Sequence, residues 1–199
     1  MGILKKLTEE YFGEIEREED FIDIYGLDVE IVSFTDNNGK FHKRGYKPKD
    51  KDTLEKLLKR MIEVRGDEGN FNDIDTSDIT SMESLFQFNE TFNGDITGWN
   101  VSSVTDMSYM FSYATSFNQP IGNWKFPIVR DMSDMFMKAT SFNQDISKWE
   151  FPYVINMNGM FSDATSFNQD LSKWDLKGKK KTKIFYGCPI KKEYKPKMK

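Results

Sequence analysis

Side-chain oxygens recur at a fixed spacing in this chain, and the carboxylates among them are the groups most able to do chemistry. Asp95, Asp145 and Asp170 hold the same place in a repeated segment, and Pro120 interrupts their series. Aligned carboxylates suggest a calcium row, but Ca²⁺ takes about six to eight oxygen ligands per ion. Paired carboxylates can also act as acid and base in glycoside hydrolysis, which needs a cleft that the sequence does not indicate. We therefore predict neither a metal site nor catalytic residues.

Nitrogen and sulfur ligands are scarce. His42 is the only histidine and Cys188 the only cysteine, so the chain offers no histidine-based triad, no ordinary zinc site and no internal disulfide. Glycine-rich phosphate-binding motifs are absent from the sequence. Methionine pairs at 107/110, 132/135 and 157/160 suggest soft-metal ligation, although a gap-filling core role is the better interpretation. We predict a non-enzymatic protein without a cofactor.

One asparagine also recurs in each repeated segment. A row of amides can bind sugars or a metal, or it can satisfy main-chain groups where the chain turns. The second alternative, which we favour, predicts a hydrogen-bonded ladder from one segment to the next. The row consists of Asn93, Asn118, Asn143 and Asn168.

These residues belong to a repeat. Four stretches that begin with Phe-Asn follow one another every 25 residues, and a tryptophan stands seven residues after each phenylalanine. A constant period of about 20–50 residues predicts stacked structural units. Fainter copies at both ends give about five units over residues 67–190. The tryptophans, which we expect in the structural ladder with the asparagines, are Trp99, Trp124, Trp149 and Trp174.

Two kinds of element are expected in each unit. The Asp-Ile-x-x-Trp segment predicts a short strand, because turn-forming residues bracket its apolar positions. The Met-x-x-Met-Phe-x-x-Ala segment has apolar residues at i, i+3, i+4 and i+7, which is typical of a short helix or 3₁₀ turn. Strands of successive units are expected to pair in parallel. The predicted fold class is an α/β repeat solenoid of short parallel strands and helical turns.

The segment before the repeats has a different composition. Residues 1–20 have apolar positions at near-helical spacing, and Asp36 to Gly39 predicts a hairpin turn between two strands. Asp52 or Thr53 is expected to cap a helix that Gly66 ends. We predict a small α+β domain at residues 1–66 that covers the apolar end of the first unit. The repeats follow at 67–190 and a basic tail at 191–199.

Charge is unevenly distributed along the chain. Residues 177–199 contain ten lysines and one glutamate, a net charge of +9, whereas the whole chain carries −4. Such a tail can contact nucleic acid, anionic glycans or membranes. The alternative, which we favour, is a solvated end that keeps the last unit from docking on another molecule. Nucleic acid is not an expected partner, since no aromatic-stacking or groove-reading motif accompanies the lysines.

Composition limits the location of the protein. The chain has 199 residues, of which 38% are hydrophobic, and no apolar run is long enough to span a membrane. The N-terminus lacks the apolar core of a secretory signal peptide. We therefore expect either an intracellular protein or one whose export signal is not part of this sequence.

Two segments carry a resemblance to a known family. They are Phe-Asn-Gln-Asp-Ile-Ser-Lys-Trp at 142–149 and Val-Ile-Asn-Met-Asn-Gly-Met-Phe at 154–161. With residues 72–82 and 46–50, they resemble the repeat of BspA-like leucine-rich-repeat surface proteins and the segments that open it. The resemblance covers about residues 46–190. It implies a leucine-rich-repeat-like fold, binding to proteins of a host or neighbouring cell, and a secreted or cell-surface location.

The repeat and the resemblance together lead us to predict a protein-interaction or adhesion module. Specificity is expected at exposed positions that vary between units while the core positions stay constant. The candidates are Thr97, Asn123, Lys148 and Lys173 beside the predicted strand, and Tyr113, Lys138 and Asp163 beyond the predicted helical turn.

A second hypothesis concerns a repetitive non-protein ligand. Ala-Thr-Ser recurs at 114–116, 139–141 and 164–166. Hydroxyls stacked at about 4.8 Å per unit can match a periodic surface such as a glycan or ice. They can equally well cap the turn between helix and strand.

Overall fold

The computed structural model describes residues 24–197, and the helix expected at residues 1–20 lies outside them. The described part begins with a hairpin of two antiparallel strands, β1 (Val29–Thr35) and β2 (Phe41–Pro48). An α-helix, α1 (Lys51–Arg65), follows, and a 3₁₀ helix (Lys192–Tyr194) lies near the C-terminus.

The sequence-based prediction of the hairpin is confirmed. Its turn spans Asp36 to Gly39, and Gly39 has φ of 82°, a left-handed conformation that glycine adopts without steric cost. The Asp36 carboxylate accepts the main-chain N–H groups of Asn38 and Lys40 at 3.0 and 2.9 Å. The side chain of Asp36, the first residue of the turn, therefore stabilises the turn.

The predicted C-terminal end of the helix α1 is confirmed, but the predicted N-cap is wrong. Gly66 ends it with φ of 75°, whereas the N-cap is Asp50 rather than Asp52 or Thr53. The Asp50 carboxylate accepts the Thr53 N–H at 2.9 Å, which satisfies one of the unpaired donors of the first turn. At the other end, the Arg65 guanidinium donates to both oxygens of Asp73 at 2.7 Å, which ties α1 to the first unit.

The fold class predicted for the repeats is wrong. Residues 24–197 contain two antiparallel strands, one α-helix and one 3₁₀ helix, and none of the 25-residue units has a parallel strand or an α-helix of its own. An α/β solenoid of leucine-rich-repeat-like strands and helical turns is therefore not what this chain forms. The units consist of successive turns, bridged at single residues: Ser81, Asp106, Asp131, Asn156 and Lys180.

Backbone conformation explains why the helical pattern does not give a helix. Ala114 N–H donates to Phe111 O at 3.0 Å, the i to i+3 bond of a turn. Tyr109 and Tyr113, however, have φ of 58° and 62°. A right-handed helix needs a negative φ at every residue. The apolar spacing of three and four thus reflects consecutive turns that left-handed residues separate.

The predicted strands fail for a related reason. Trp99 N–H donates to Ile96 O at 3.1 Å, and Thr97 N–H donates to the Asp95 carboxylate at 3.0 Å. Both bonds close local turns, so these donors are not available for a ladder of strand pairs.

Main-chain hydrogen bonds join units 1 to 4 at a constant offset. For unit names we use residues 67–91, 92–116, 117–141, 142–166 and 167–190 as units 1 to 5. Between units 2 and 3, Met107 N–H donates to Asp131 O and Phe111 N–H to Met135 O, both at 2.9 Å. The same bonds recur between units 3 and 4, where Met132 N–H donates to Asn156 O at 2.9 Å. Corresponding residues of neighbouring units therefore lie side by side.

Phenylalanine rings fill the interior in two continuous columns. The rings of Phe86, Phe111 and Phe136 stack at centroid distances of 5.6 and 5.5 Å. A second column, which includes Phe117 and Phe142 at 6.0 Å, lies against the first. Apolar residues of α1 belong to the same core; those fully or nearly fully buried are Leu54, Leu57, Leu58 and Met61.

Strand β2 meets the first unit at its other edge. Tyr46 N–H donates to Asp73 O at 2.8 Å, and Tyr46 O accepts the Asp75 N–H at 2.9 Å, which forms a parallel bridge with Ile74. The hairpin and α1 thus cover the end of unit 1.

Unit 5 is shorter than the others, which changes its register. Gly159 N–H donates to Thr182 O, an offset of 23 residues, whereas Asp134 N–H donates to Asn158 O, an offset of 24. A simple 25-residue extrapolation assigns Tyr186 to the phenylalanine column. In the structure Phe185 occupies that place, at 5.8 Å from Phe161, and Tyr186 is exposed.

Candidate functional site

Residues one or two positions before each tryptophan form the first candidate surface, which we name the pre-tryptophan row (Thr97, Asn123, Lys148 and Lys173). The hairpin turn contacts its first half, in which Thr97 is half-buried and Asn123 is exposed. Asn38 Nδ2 donates to Thr97 Oγ1 at 2.9 Å, and Asn123 Nδ2 donates to Asn38 Oδ1 at 2.6 Å. Lys148 and Lys173 are exposed. The hairpin therefore contacts one half of the row and leaves the other half without such a contact.

The second candidate surface consists of one residue from each of units 1 to 4, and we name it the left-handed row (Phe88, Tyr113, Lys138 and Asp163). The rings of Phe88 and Tyr113 lie 4.9 Å apart, and Lys138 Nζ lies 4.7 Å from the Tyr113 ring centroid. Phe88 is 62% exposed. The sequence-based choice missed Phe88, although it precedes Tyr113 by one repeat.

All four members of the left-handed row have positive φ, between 56° and 62°. Each is held there by its neighbour: Tyr113 N–H donates to Met137 O and Lys138 N–H to Ser162 O, both at 2.8 Å. Such conformations favour glycine or asparagine and are rare for bulky residues. The contacts between units thus impose them.

Asparagines form a ladder through the units. The Oδ1 atom of each accepts the main-chain N–H of its counterpart in the next unit, for example Asn118 from Asn143 at 3.0 Å. The glutamine beside it adds a second contact, since Gln144 Nε2 donates to Asn118 O at 2.9 Å. The remaining steps join Asn93 to Asn118 and Asn143 to Asn168 at 2.9 Å. These amide oxygens are engaged within the fold.

Three of the four tryptophans make an equivalent bond. Trp149 Nε1 donates to Ile121 O at 3.2 Å, in the preceding unit, and Trp174 Nε1 donates to Ile146 O at 3.2 Å. Trp99 Nε1 donates to Phe71 O at 2.9 Å. Trp124 Nε1 is buried and has no hydrogen-bond partner among the described residues.

The aligned aspartates serve turns. Asp145 and Asp170 accept the N–H two residues further on at 2.9 Å, and hydrogen bonds from Ser147 lower the pKa of Asp145. Burial alone would raise the pKa of Asp95, but hydrogen bonds from Asn72 and Thr97 bring it below its usual value. Within residues 24–197 no group of three or more acidic, histidine or cysteine side chains is arranged to hold a metal ion.

The other reactive groups are also committed to the fold. The paired methionines at 107/110, 132/135 and 157/160 are fully buried in the core. His42 Nε2 contacts the buried carboxylate of Asp36 at 2.8 Å inside the hairpin. Cys188 lies 3.4 Å from Phe167 O, and burial raises the pKa of its thiol, which makes it a weak nucleophile.

Some threonine hydroxyls of the Ala-Thr-Ser rows are engaged. Thr115 Oγ1 donates to Glu90 O at 3.1 Å, and Thr140 Oγ1 donates to Thr115 O at 3.3 Å. Each hydroxyl bonds to the main chain of the preceding unit. These bonds reduce the number of hydroxyl protons that the rows present to a periodic ligand.

An exposed apolar patch lies in units 3 and 4 and was not expected from the sequence. Ile128, Tyr153 and Ile155 are 41%, 58% and 49% exposed. Arg130 O accepts the Ile155 N–H at 2.8 Å, so these segments of the two units run side by side. The available signal is a change in the repeat, because Pro127-Ile128 and Pro152-Tyr153 replace the Ser-Ser of unit 2.

A cleft of about 280 Å³ lies between α1 and unit 1. Leu58, Ile62, Leu85 and Phe86 line it together with polar residues, and neither histidine nor cysteine is among the lining residues. No helix within residues 24–197 has the length and apolar character of a membrane span.

Comparison with known proteins places the chain by its repeats. No curated protein and no solved structure matches it. A family described as "Mycoplasma protein of unknown function, DUF285" matches residues 54–174 and, a second time, residues 127–193. The matches begin within α1 and extend through unit 5, so they include both candidate rows. The chain belongs to this family of Mycoplasma proteins of unknown function, DUF285.

Proposed function

We propose that this protein is a non-enzymatic protein-interaction module whose binding surface is the left-handed row. The observation that carries the proposal is the conformation of its four residues, each a non-glycine residue with φ near 60°. A non-glycine residue pays about 1 kcal/mol or more for this conformation. Gly187, the counterpart of Asp163 in unit 5, has φ of 66° and shows that glycine is accommodated there. The fold therefore retains large side chains at a cost in stability.

The chemistry of the row suits protein recognition. Phe88 and Tyr113 supply rigid aromatic area, and aromatic side chains are enriched among the residues that dominate binding energy. Lys138 and Asp163 add opposite charges next to them, which favours a partner with complementary charges. Because main-chain hydrogen bonds fix the backbone beneath each residue, little conformational freedom is lost on binding.

The resemblance to BspA-like surface proteins supports an adhesive role. That resemblance implies a partner on a host or neighbouring cell and a secreted or cell-surface location. The exposed apolar patch at Ile128, Tyr153 and Ile155 offers further contact area, since clustered exposed apolar side chains often mark interaction sites. The protein partner is thus expected outside the cell that makes this chain.

A binding screen against extracellular proteins tests the proposal. The variant Phe88→Asn with Tyr113→Asn removes both rings and keeps the fold, since asparagine tolerates a positive φ. The control variant Lys125→Asn with Glu150→Asn changes two exposed residues elsewhere on units 3 and 4. We expect a partner that binds wild type and control at micromolar concentration or better and binds the ring-less variant at least about tenfold more weakly.

Two results would overturn the proposal. One is the absence of any protein that binds the wild type at micromolar concentrations. The other is a partner that binds the ring-less variant and the control equally well. Circular dichroism of the three proteins separates a loss of binding from a loss of fold.

A further inference from the structure

Unpaired positive charge is concentrated at the C-terminal end of the molecule. We name the six exposed lysines there the basic end: Lys177, Lys180, Lys183, Lys191, Lys192 and Lys197. The ion pairs found within residues 24–197 all involve other cations, in the hairpin, its flanks and α1. Glu193 is the only acidic residue from 177 to 199. The basic end therefore presents positive charge that the ion pairs of the fold do not neutralise.

The basic end has a fixed backbone. Leu171 N–H donates to Tyr194 O at 2.9 Å, and Lys191 N–H donates to Asn168 Oδ1 at 3.0 Å. Ile190 and Pro196 are buried against unit 5. The main chain of residues 191–197 is thus bonded to unit 5, whereas the alternative favoured from the sequence was a solvated end at residues 177–199. Lys191, Lys192 and Lys197 are therefore exposed on an ordered segment.

Other lysines in the same region have a structural role, which sets the basic end apart. Lys179 Nζ donates to Phe151 O and Val154 O at 2.7 and 2.9 Å, and burial lowers the pKa of this ammonium group. Lys181 Nζ reaches Leu176 O at 3.2 Å. These two ammonium groups donate to main-chain carbonyl oxygens of units 4 and 5. For the six exposed lysines no hydrogen bond from the ammonium group is found within residues 24–197.

The composition of the basic end favours a lipid surface over a nucleic acid. Residues 177–199 contain no arginine, the residue that pairs with phosphates and guanine edges in a two-bond geometry. Clusters of about four to eight lysines or arginines are typical of contact with anionic headgroups. Tyr186, 62% exposed and near Lys183, adds an aromatic ring of the kind enriched at membrane interfaces.

We propose that the basic end docks the protein on a membrane surface rich in anionic phospholipid headgroups. The lysines contact the headgroup phosphates, and the Tyr186 ring lies at the level of the headgroups. This docking surface borders the left-handed row, since Asp163 N–H donates to Tyr186 O at 2.7 Å. Its lysines are not members of that row, so the docking does not depend on the proposed protein partner. It orients the molecule with unit 5 toward the bilayer.

Vesicle co-sedimentation of the full chain tests this docking. The probes are phosphatidylcholine vesicles with and without phosphatidylglycerol, at low and at high salt. One variant replaces Lys183, Lys191, Lys192 and Lys197 by Gln, and its control replaces Lys59, Lys125, Lys148 and Lys173 by Gln, with the same change in net charge. We expect salt-sensitive binding to anionic vesicles alone. Each lysine contributes about fivefold to the affinity for anionic vesicles. The first variant should therefore lose more than about a hundredfold in this affinity, and the control far less.

Three outcomes would overturn the proposal. The wild type could bind neutral vesicles as well as anionic ones, or the two four-site variants could lose binding equally. The third outcome is a wild type that binds none of the vesicles. If that protein retained a single-stranded RNA, the basic end would be assigned to nucleic acid. A further variant, Tyr186→Ser, leaves the net charge unchanged, and we expect it to weaken vesicle binding measurably.

Discussion

Tryptophans at the same position of the repeat differ in the hydrogen bond of the indole N–H group. Trp149 Nε1 donates to Ile121 O in the preceding unit, whereas Trp124 Nε1 has no partner within residues 24–197. Both side chains are almost fully buried. The repeat thus contains its own control for the value of one hydrogen bond.

Replacing each of these two tryptophans by phenylalanine should show how much the indole hydrogen bond contributes to the free energy of unfolding. Both Trp124→Phe and Trp149→Phe remove buried ring area, but the second also removes a hydrogen bond worth about 0.5–1.5 kcal/mol. We expect Trp149→Phe to lower the free energy of unfolding by about 1 kcal/mol more than Trp124→Phe. Chemical denaturation measures both values. A larger loss for Trp124→Phe would mean that ring packing, and not the hydrogen bond, dominates.

At the scale of elements, the hairpin contributes more than a cover for unit 1. Its turn reaches unit 2 through Asn37 N–H, which donates to Gly98 O at 2.8 Å, and unit 3 through Asn38 and Asn123. The hairpin therefore spans three units. It depends on Asp36, whose buried carboxylate also contacts His42.

Asp36→Ala should loosen the hairpin without melting the distant units. The substitution leaves two main-chain donors and the His42 ring without their acceptor, at a cost of about 1–3 kcal/mol. Hydrogen exchange should show faster exchange at residues 29–48 and unchanged protection in unit 4. Lys43→Ala, an exposed change in the same strand, serves as the control. Equal acceleration throughout the chain would instead indicate that the hairpin and the repeats unfold together.

Elements set by local signals could be predicted, and those set by distant contacts could not. The turn at Asn38-Gly39 and the stop at Gly66 follow from the conformational freedom of glycine. Nothing local marks Tyr113 or Lys138 as left-handed, because their conformation is imposed by hydrogen bonds to the next unit. The contact between Asn38 and Asn123 joins residues 85 positions apart, and the sequence pattern carries no signal for it.

At the scale of the whole molecule, the constant offset between units makes a deletion prediction possible. Removing residues 117–141 joins Ser116 to Phe142 and leaves each core position beside a similar one. We expect a folded protein of lower stability, since one unit and one interface are lost. Removing residues 117–128 shifts the register by about half a unit and should abolish cooperative unfolding. Circular dichroism and thermal melts compare the two, and similar behaviour would show that register does not organise the fold.

The fixed offset also has a consequence for the gene. Nearly identical repeats favour unequal recombination, and only the gain or loss of a whole unit keeps both the reading frame and the hydrogen-bond register. Unit 3 is the last unit that the hairpin turn contacts, and this does not depend on how many units follow. Each added unit would therefore extend the part of the pre-tryptophan row that the hairpin does not contact and leave the contacted part unchanged. Length variation among alleles would then change the exposed surface while both ends of the protein stay the same.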